Sequence, residues 1–320
     1  MNYKPIIVVG GEPYSIFLEI FFKSIQNKRF KNPIILIASK KLLIKQMIKL
    51  NYDFAINDIN KNEINFEKLS KIKINLINVN FIFRKTFDKI TNKSNKYISQ
   101  SFKIALKLLK KNNYAGLING PISKKNFLNK HFLGITEYLA KNTNKKNVAM
   151  LIYNKELSVS PLTTHLALKN VYKNISKKKI IEHVKLINMF YKKRFKFKPK
   201  IAITGLNPHC ESNYSSSEER KFIEPAIKYL IKKKIKVSGP YAADTIFLKN
   251  ISKGYDVVIG MYHDQVLAPA KTLFGFKSIN ITLGLPFIRI SPDHGPNTKM
   301  LGKNLSDPSS LVEAIKFLDK

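Results

Sequence analysis

Three histidines follow short apolar runs at matching places. Leu157–Pro161 leads into Leu162-Thr163-Thr164-His165, Ile201–Leu206 into Asn207-Pro208-His209, and Asp256–Met261 into Tyr262-His263-Asp264-Gln265. In parallel α/β sheets, ligands bind beyond the carboxyl ends of strands. Three imidazoles at such ends could converge on one metal and leave a position open for substrate. Their spacings of 44 and 54 residues match no local metal motif, so only the fold could bring them together. Taken singly, each reads as a surface or supporting loop residue.

Two other loops read as anion sites. Gly116–Gly120 ends in Gly120-Pro121-Ile122-Ser123-Lys124, a strand-to-helix turn of the kind that offers backbone N–H groups to phosphate. Lys271, Asn280 and Arg289 mark the second. Arg289 is one of five arginines, with 29, 84, 194 and 220, among 57 basic residues. Its choice over Lys suggests a rigid bidentate fork, and the alternative is a structural ion pair. His183, in a Lys-rich helix, is expected to be exposed. His131 reads as a surface residue, and His294, in Asp293-His294-Gly295, as a supporting or structural one. Cys210 is expected to be a buried bystander beside His209, with a soft neighbour to a metal as the alternative.

The elements that must position these residues alternate. Apolar runs at 5–9, 34–38, 74–79, 115–119, 147–152, 157–163, 200–206, 256–261 and 279–283 read as buried strands. A helix is expected at 176–195, with Ile180, Val184, Ile187 and Tyr191 on one face. Another is expected from Ser216, with Glu219 at capping-box spacing and Pro225 kinking or shortening it, and a last one near Pro308. Residues 57–97 read as a strand or two with loops. Strands separated by helices predict an α/β fold with a mainly parallel sheet.

Composition excludes several classes. With 44% hydrophobic residues, 21 Phe and 14 Tyr the chain can bury a core. One Cys excludes a disulfide scaffold and suits a reducing cytosol. No apolar run approaches ~18 residues, so no membrane helix is expected, and the run at Ile6 is too short for a signal peptide. The net charge of +36 raises the question of a nucleic-acid partner. However, 42 Ile and 31 Asn accompany the lysines, as a codon-level bias would produce. Residues 171–240 carry 18 basic and 5 acidic side chains, whereas 241–300 carry 6 and 4. The charge therefore reads as a solvated surface, and nucleic-acid binding is not expected.

Gly11-Glu12-Pro13, Gly120-Pro121, Thr163-Thr164-His165-Leu166, Gly205-Leu206-Asn207-Pro208-His209, Gly239-Pro240 with Ala243-Asp244-Thr245, Met261-Tyr262-His263-Asp264-Gln265 and Asn280 through Arg289 resemble the 4-hydroxythreonine-4-phosphate dehydrogenase family of pyridoxal phosphate biosynthesis. The resemblance runs through the chain in order, strongest at 200–295 and weakest at 25–110. It implies two α/β/α domains around a cleft, like the isocitrate and isopropylmalate dehydrogenases. We place them at 1–125 with 296–320 and at 126–295. It also implies a cytoplasmic homodimer with the active site at its interface, NAD or NADP, and a divalent metal (Zn, Mg or Co) on His165, His209 and His263. Thr136, Lys271, Asn280 and Arg289 would contact the substrate, a small phosphorylated hydroxy amino acid. Asp244, Asp264 and Lys271 are the candidate catalytic residues, the two carboxylates through histidine orientation or proton transfer. The implied reaction oxidises 4-phosphohydroxy-L-threonine to a β-keto acid, which decarboxylates to 3-amino-2-oxopropyl phosphate.

Departures from the family pattern fall in the first half. Gly-His-Thr-Glu is Gly134-Ile135-Thr136-Glu137 here, so a substrate-contacting imidazole gives way to Ile135. The Gly-rich continuation after Gly-Glu-Pro is Tyr14-Ser15-Ile16-Phe17, and the His before Lys124 is Ser123. His131 is a candidate replacement for the missing imidazole. The alternative function is therefore a sister dehydrogenase for another phosphorylated or four-carbon hydroxy acid. A more distant one is a non-catalytic nucleic-acid-binding protein.

Overall fold

Short β-branched runs form the strands. The computed structural model describes residues 3–26, 28–128, 132, 134–210, 216–275, 277–292 and 294–319. In chain order the strands are β1 (Ile6–Val9), β2 (Ile34–Ala38), β3 (Ile56–Asp58), β4 (Ile74–Asn78), β5 (Gly116–Asn119), β6 (Ala149–Tyr153), β7 (Ser158–Thr163), β8 (Ile201–Thr204), β9 (Val237–Tyr241), β10 (Val257–Tyr262), β11 (Ile279–Leu283) and β12 (Arg289–Pro292). The helices are α1 (Phe17–Gln26), α2 (Lys40–Lys49), α3 (Asn95–Leu109), α4 (Ile135–Asn142), α5 (Lys177–Phe195), α6 (Glu224–Lys232), α7 (Lys249–Ser252), α8 (His263–Phe274) and α9 (Ser309–Leu318).

The chain divides into two units, Met1–Leu139 with Pro286–Lys320, and Ala140–Leu285. The sequence reading drew its boundaries at 125/126 and 295/296. In the division by contacts, Thr136 and Arg289 belong to the first unit.

The first unit orders its strands β3-β4-β2-β1-β5-β12, all parallel. β1 is covered on both faces, which is why Ile6-Ile7-Val8-Val9 is apolar without alternation. The crossovers turn back between β1 and β5, so the carboxyl ends of those strands form the switch point where open α/β sheets bind ligands. The second unit orders its strands β11-β6-β7-β10-β8-β9. Here β6 runs antiparallel to both neighbours, while β7, β10, β8 and β9 are parallel. Val159, Ala202, Val258, Ile246 and Val266 form its core with Ala270.

The nine strands expected from apolar runs are present, with bounds within a few residues. β3, only three residues long, opens the 57–97 stretch where a strand or two were expected, and two further strands, β9 and β12, carry no apolar run that announces them; β12 opens on Arg289. β9 lies at a sheet edge and contains Gly239-Pro240, a pair that reads as a turn.

Two local expectations, the exposure of His183 and the role of Glu219, need correction. His183 is buried, because position 183 shares the inner stripe of α5 with Ile180, Val184 and Ile187. Its Nε2 lies 2.7 Å from Ser160 Oγ. Burial, with Lys179 nearby, pushes its pKa down to about 4, so the ring is neutral at pH 7. The helical segment does start near Ser216: a π-helical turn at Glu219–Ile223 runs directly into α6, with Pro225 where one passes into the other, and Ser217 Oγ accepts from Arg220 N at 3.3 Å. Glu219 does not close a capping box. Its carboxylate turns instead to the His209 loop.

Candidate active site

The second unit collects the imidazoles on one edge. β7, β10, β8 and β9 are adjacent and parallel, so their carboxyl ends share that edge. His165 follows β7, His263 follows β10, His209 follows β8 and Asp244 follows β9. Tyr262 is in register with Thr163, and Thr163 Oγ1 donates to Met261 O at 2.7 Å, which ties the two neighbouring ends together. His165 and His263 are the result, with ring centres 5.7 Å apart. His165, His209 and Cys210 have φ of 48°, 56° and 58°. Non-glycine residues in this left-handed region cost on the order of 1–3 kcal/mol each and cluster at functional sites.

A carboxylate stands beside two of the rings. His263 Nδ1 lies 2.6 Å from Asp264 Oδ1, and His209 Nδ1 lies 3.5 Å from Asp244 Oδ2. A carboxylate at Nδ1 keeps the proton on that nitrogen and leaves Nε2 as the donor lone pair.

Two residues that the sequence does not mark as site residues on their own hold these loops. Glu219 Oε1 accepts from the Leu206 and Asn207 N–H groups at 2.8 and 2.9 Å, and Oε2 accepts from Asn207 Nδ2 at 2.9 Å. Burial works against its ionisation. The hydrogen bonds from Asn207, Leu206 and its own backbone outweigh it and hold the pKa below the usual carboxylate range. Gly205 permits this approach, since a Cβ there would meet Cys210 Sγ at 2.7 Å and Glu219 Oε1 at 3.0 Å. Gln265 is the second: its Oε1 accepts from Met261 N and Thr204 Oγ1, and its Nε2 donates to Gly205 O. It fastens the ends of β8 and β10 together. Only its place in the His263-Asp264-Gln265 run marked it. Glu219→Ala orphans two backbone N–H groups, so it should cost about 2 kcal/mol in urea unfolding. An unchanged midpoint would show that the loop does not depend on this carboxylate.

The donor set suits a divalent metal: neutral imidazoles, two with an orienting carboxylate. Two rings on one tetrahedral zinc, at about 2.0–2.1 Å from it, have centres about 5 Å apart, close to the His165–His263 spacing. His209 does not join His165 and His263 in a triad among the described residues. Among the described residues no group of three or more His, Cys, Asp or Glu side chains gathers where it could hold an ion.

The remaining site residues divide between the units. In the second, Lys271 projects from α8 and Asn280 from β11. Desolvation lowers the Lys271 pKa, and Asn280 Oδ1 is buried without a hydrogen bond. In the first, Thr136 lies in the first turn of α4, directly after Ile135. Arg289 is 1% exposed, and its Nε donates to Asn119 Oδ1 at 2.7 Å. Burial lowers its pKa to about 10, against which Glu137 acts to keep it charged. At the switch point, Glu12 N donates to Pro121 O at 2.9 Å, fixing the Gly11-Glu12-Pro13 loop against Gly120-Pro121. His294 stacks on Phe17, with ring centres 6.3 Å apart, and burial lowers its pKa. His131 and Asp293 lie outside the described residues.

Two α/β units, one with imidazoles on the carboxyl edge of its sheet, define a protein of the isocitrate dehydrogenase-like fold class. The chain superposes on isocitrate dehydrogenase from Methylococcus capsulatus with a TM-score of 0.50 at 9% identity over 97% of this chain and 83% of that one, a likeness of fold alone. The chain belongs to the family of the pyridoxal phosphate biosynthetic protein PdxA, whose model matches residues 29–318. It is 40% identical over 98% of its length, and 96% of the relative's, to 4-hydroxythreonine-4-phosphate dehydrogenase from Sulfurihydrogenibium sp.. The crystal structure of 4-hydroxythreonine-4-phosphate dehydrogenase from Klebsiella pneumoniae matches with a TM-score of 0.86 at 27% identity, covering 99% of this chain and 97% of that one.

Proposed function

We propose that the protein oxidises 4-phosphohydroxy-L-threonine with NAD or NADP and a divalent metal, in the cytoplasm, as a step of pyridoxal phosphate biosynthesis. The observation that carries the reading is the placement of His165, His263 and His209 after three adjacent parallel strands, in a chain 40% identical to a dehydrogenase of that name. These three residues would hold the metal. A metal there supplies a lowered pKa for a bound hydroxyl, and the nicotinamide supplies the hydride acceptor. Asp264 and Asp244 keep the rings of His263 and His209 oriented through Nδ1. Lys271 and Arg289 offer positive charge to phosphate or carboxylate, and Thr136 and Asn280 offer polar contacts to the rest of the substrate. A homodimer with its site at the interface fits a chain that gathers only two of the three imidazoles. The interface is where the third would meet them.

Ile135 favours a second reading, a sister dehydrogenase for a related phosphorylated hydroxy acid, because it cannot hydrogen-bond as the family's His does. One assay separates the two. Reduction of the dinucleotide is followed with 4-phosphohydroxy-L-threonine and with other four-carbon hydroxy acids, with and without chelator. Turnover of the first substrate, lost on chelation and restored by added metal, is expected. Turnover of another acid alone would replace the substrate, and turnover insensitive to chelator would remove the metal from the mechanism.

A further inference from the structure

Arg289 can present a fork to a substrate only if the plane of its guanidinium is fixed, because the stem that carries it is long and flexible. Arg289 opens β12 in register with Leu117 of β5. Its Nε donates to Asn119 Oδ1 at 2.7 Å, two residues further along β5. The side chain therefore leans towards the carboxyl ends of the strands and carries its Nη end to the switch-point edge. Burial lowers its pKa only to about 10, and Glu137 favours the charged form, so the fork is cationic at pH 7.

Asn119 is itself held, and only one way round. Its Nδ2 donates to Gly120 O at 2.9 Å, and a carbonyl can only accept. Its Oδ1 is thereby left to face Nε, which can only donate. Gly120 is fixed in turn. Its N–H donates to Val9 O at 2.8 Å, and a Cβ there would collide with Gly10 O and the Phe17 ring. A chain of hydrogen bonds of one polarity thus runs from the backbone beside β1, through Asn119, to Arg289. Asn119 is fully buried at the end of a strand that otherwise reads Gly-Leu-Ile. A polar side chain there is costly unless its amide is used, and the use it has is Arg289.

We propose that Asn119 is a positioning residue, which fixes the guanidinium plane of Arg289 so that its Nη end meets an anionic group of the substrate. The inference rests on the reading of Arg289 as a substrate contact. Its test is calorimetric titration with 4-phosphohydroxy-L-threonine, beside KM and kcat for dinucleotide reduction, on the parent, Asn119→Ala, Arg289→Lys and the double variant. Asn119→Ala should raise Kd and KM about tenfold, with kcat within about threefold of the parent's, because the charge remains and only its orientation is lost. In the Arg289→Lys background the same change should move Kd by less than about twofold, since Asn119 then has no guanidinium to hold. Circular dichroism checks the fold. Asn119→Ser, whose hydroxyl is too short to reach Nε, should show the same loss and serves if the Ala variant does not fold. An unchanged Kd, an equal loss in both backgrounds, or collapse of the fold in both Asn119 variants would overturn the proposal. A parent that binds the substrate without oxidising it would remove the dehydrogenase reading and leave the Kd comparison to decide this one. A parent that does not bind it would remove both.

Discussion

His263→Ala is expected to lower kcat/KM by more than about 100-fold and to strip the protein of tightly bound metal. The scale follows from a comparison. Removing a partner that only orients a metal-bound histidine typically costs about 10–100-fold in affinity or activity, and removing the imidazole itself should exceed that. His263 is the most constrained of the three expected ligands. It opens α8, its Nδ1 is held by Asp264 at 2.6 Å, and its ring faces His165. Asp264→Asn serves as the graded control. It keeps the imidazole but no longer offers a carboxylate to its Nδ1 proton, so a loss of only about 10–100-fold is expected. Neither side chain belongs to the core, so circular dichroism and unfolding midpoints should stay close to the parent's. Metal content by elemental analysis, beside kcat/KM, separates a ligand from a bystander. A His263→Ala protein that keeps its metal and its turnover would remove this edge from the chemistry.

The sequence made that edge legible for a physical reason. A His placed just past an apolar run needs no tertiary information to be put at a strand's end, and three such placements survive small errors in strand bounds. What the sequence does not carry is strand order. β7, β10 and β8 are neighbours although 158–163, 201–204 and 257–262 are far apart in the chain. The His165–His263 approach follows from that order. Glu219 was misread because a Ser three residues before a Glu is a local pattern, whereas its partners, the N–H groups of Leu206 and Asn207, become neighbours only when the loop folds back. His183 was misread for a similar reason. A helix with lysines on most of its face still has one inner stripe, and a His at i+3 from Ile180 falls inside it. Arg289 was recognisable as unusual from its rarity. Its burial against Asn119 depends on the pairing of β12 with β5, which no local signal announces.

Glu12→Gln is expected to make the protein more stable at pH 8 by up to about 3 kcal/mol while changing little near pH 4.5. Glu12 is 1% exposed at the carboxyl end of β1. Neither carboxylate oxygen has a hydrogen bond of normal geometry. Burial raises its pKa from 4.5 to about 7, and Ser94 and the Ser123 backbone pull it back only in part. The direction of the pH dependence follows from proton counting. Between pH 4.5 and 7 the folded protein holds a proton on Glu12 that the unfolded chain has released, so stability falls as pH rises through that window. Below 4.5 both states are protonated and the penalty vanishes. Above 7 both are ionised and the penalty is complete, at about 1.36 kcal/mol for each unit of separation. Gln keeps the shape of the neutral acid and cannot ionise, so it removes the penalty without opening a cavity. Other carboxylates titrate in the same range, but they are common to both proteins and cancel in the difference. The measurement is therefore the difference in urea unfolding free energy between parent and variant, taken from pH 4.5 to 8. A difference that grows with pH and levels off above 7 is expected. A difference independent of pH would mean that Glu12 enters the folded state already ionised, and the switch-point loop would then have to supply it with a partner.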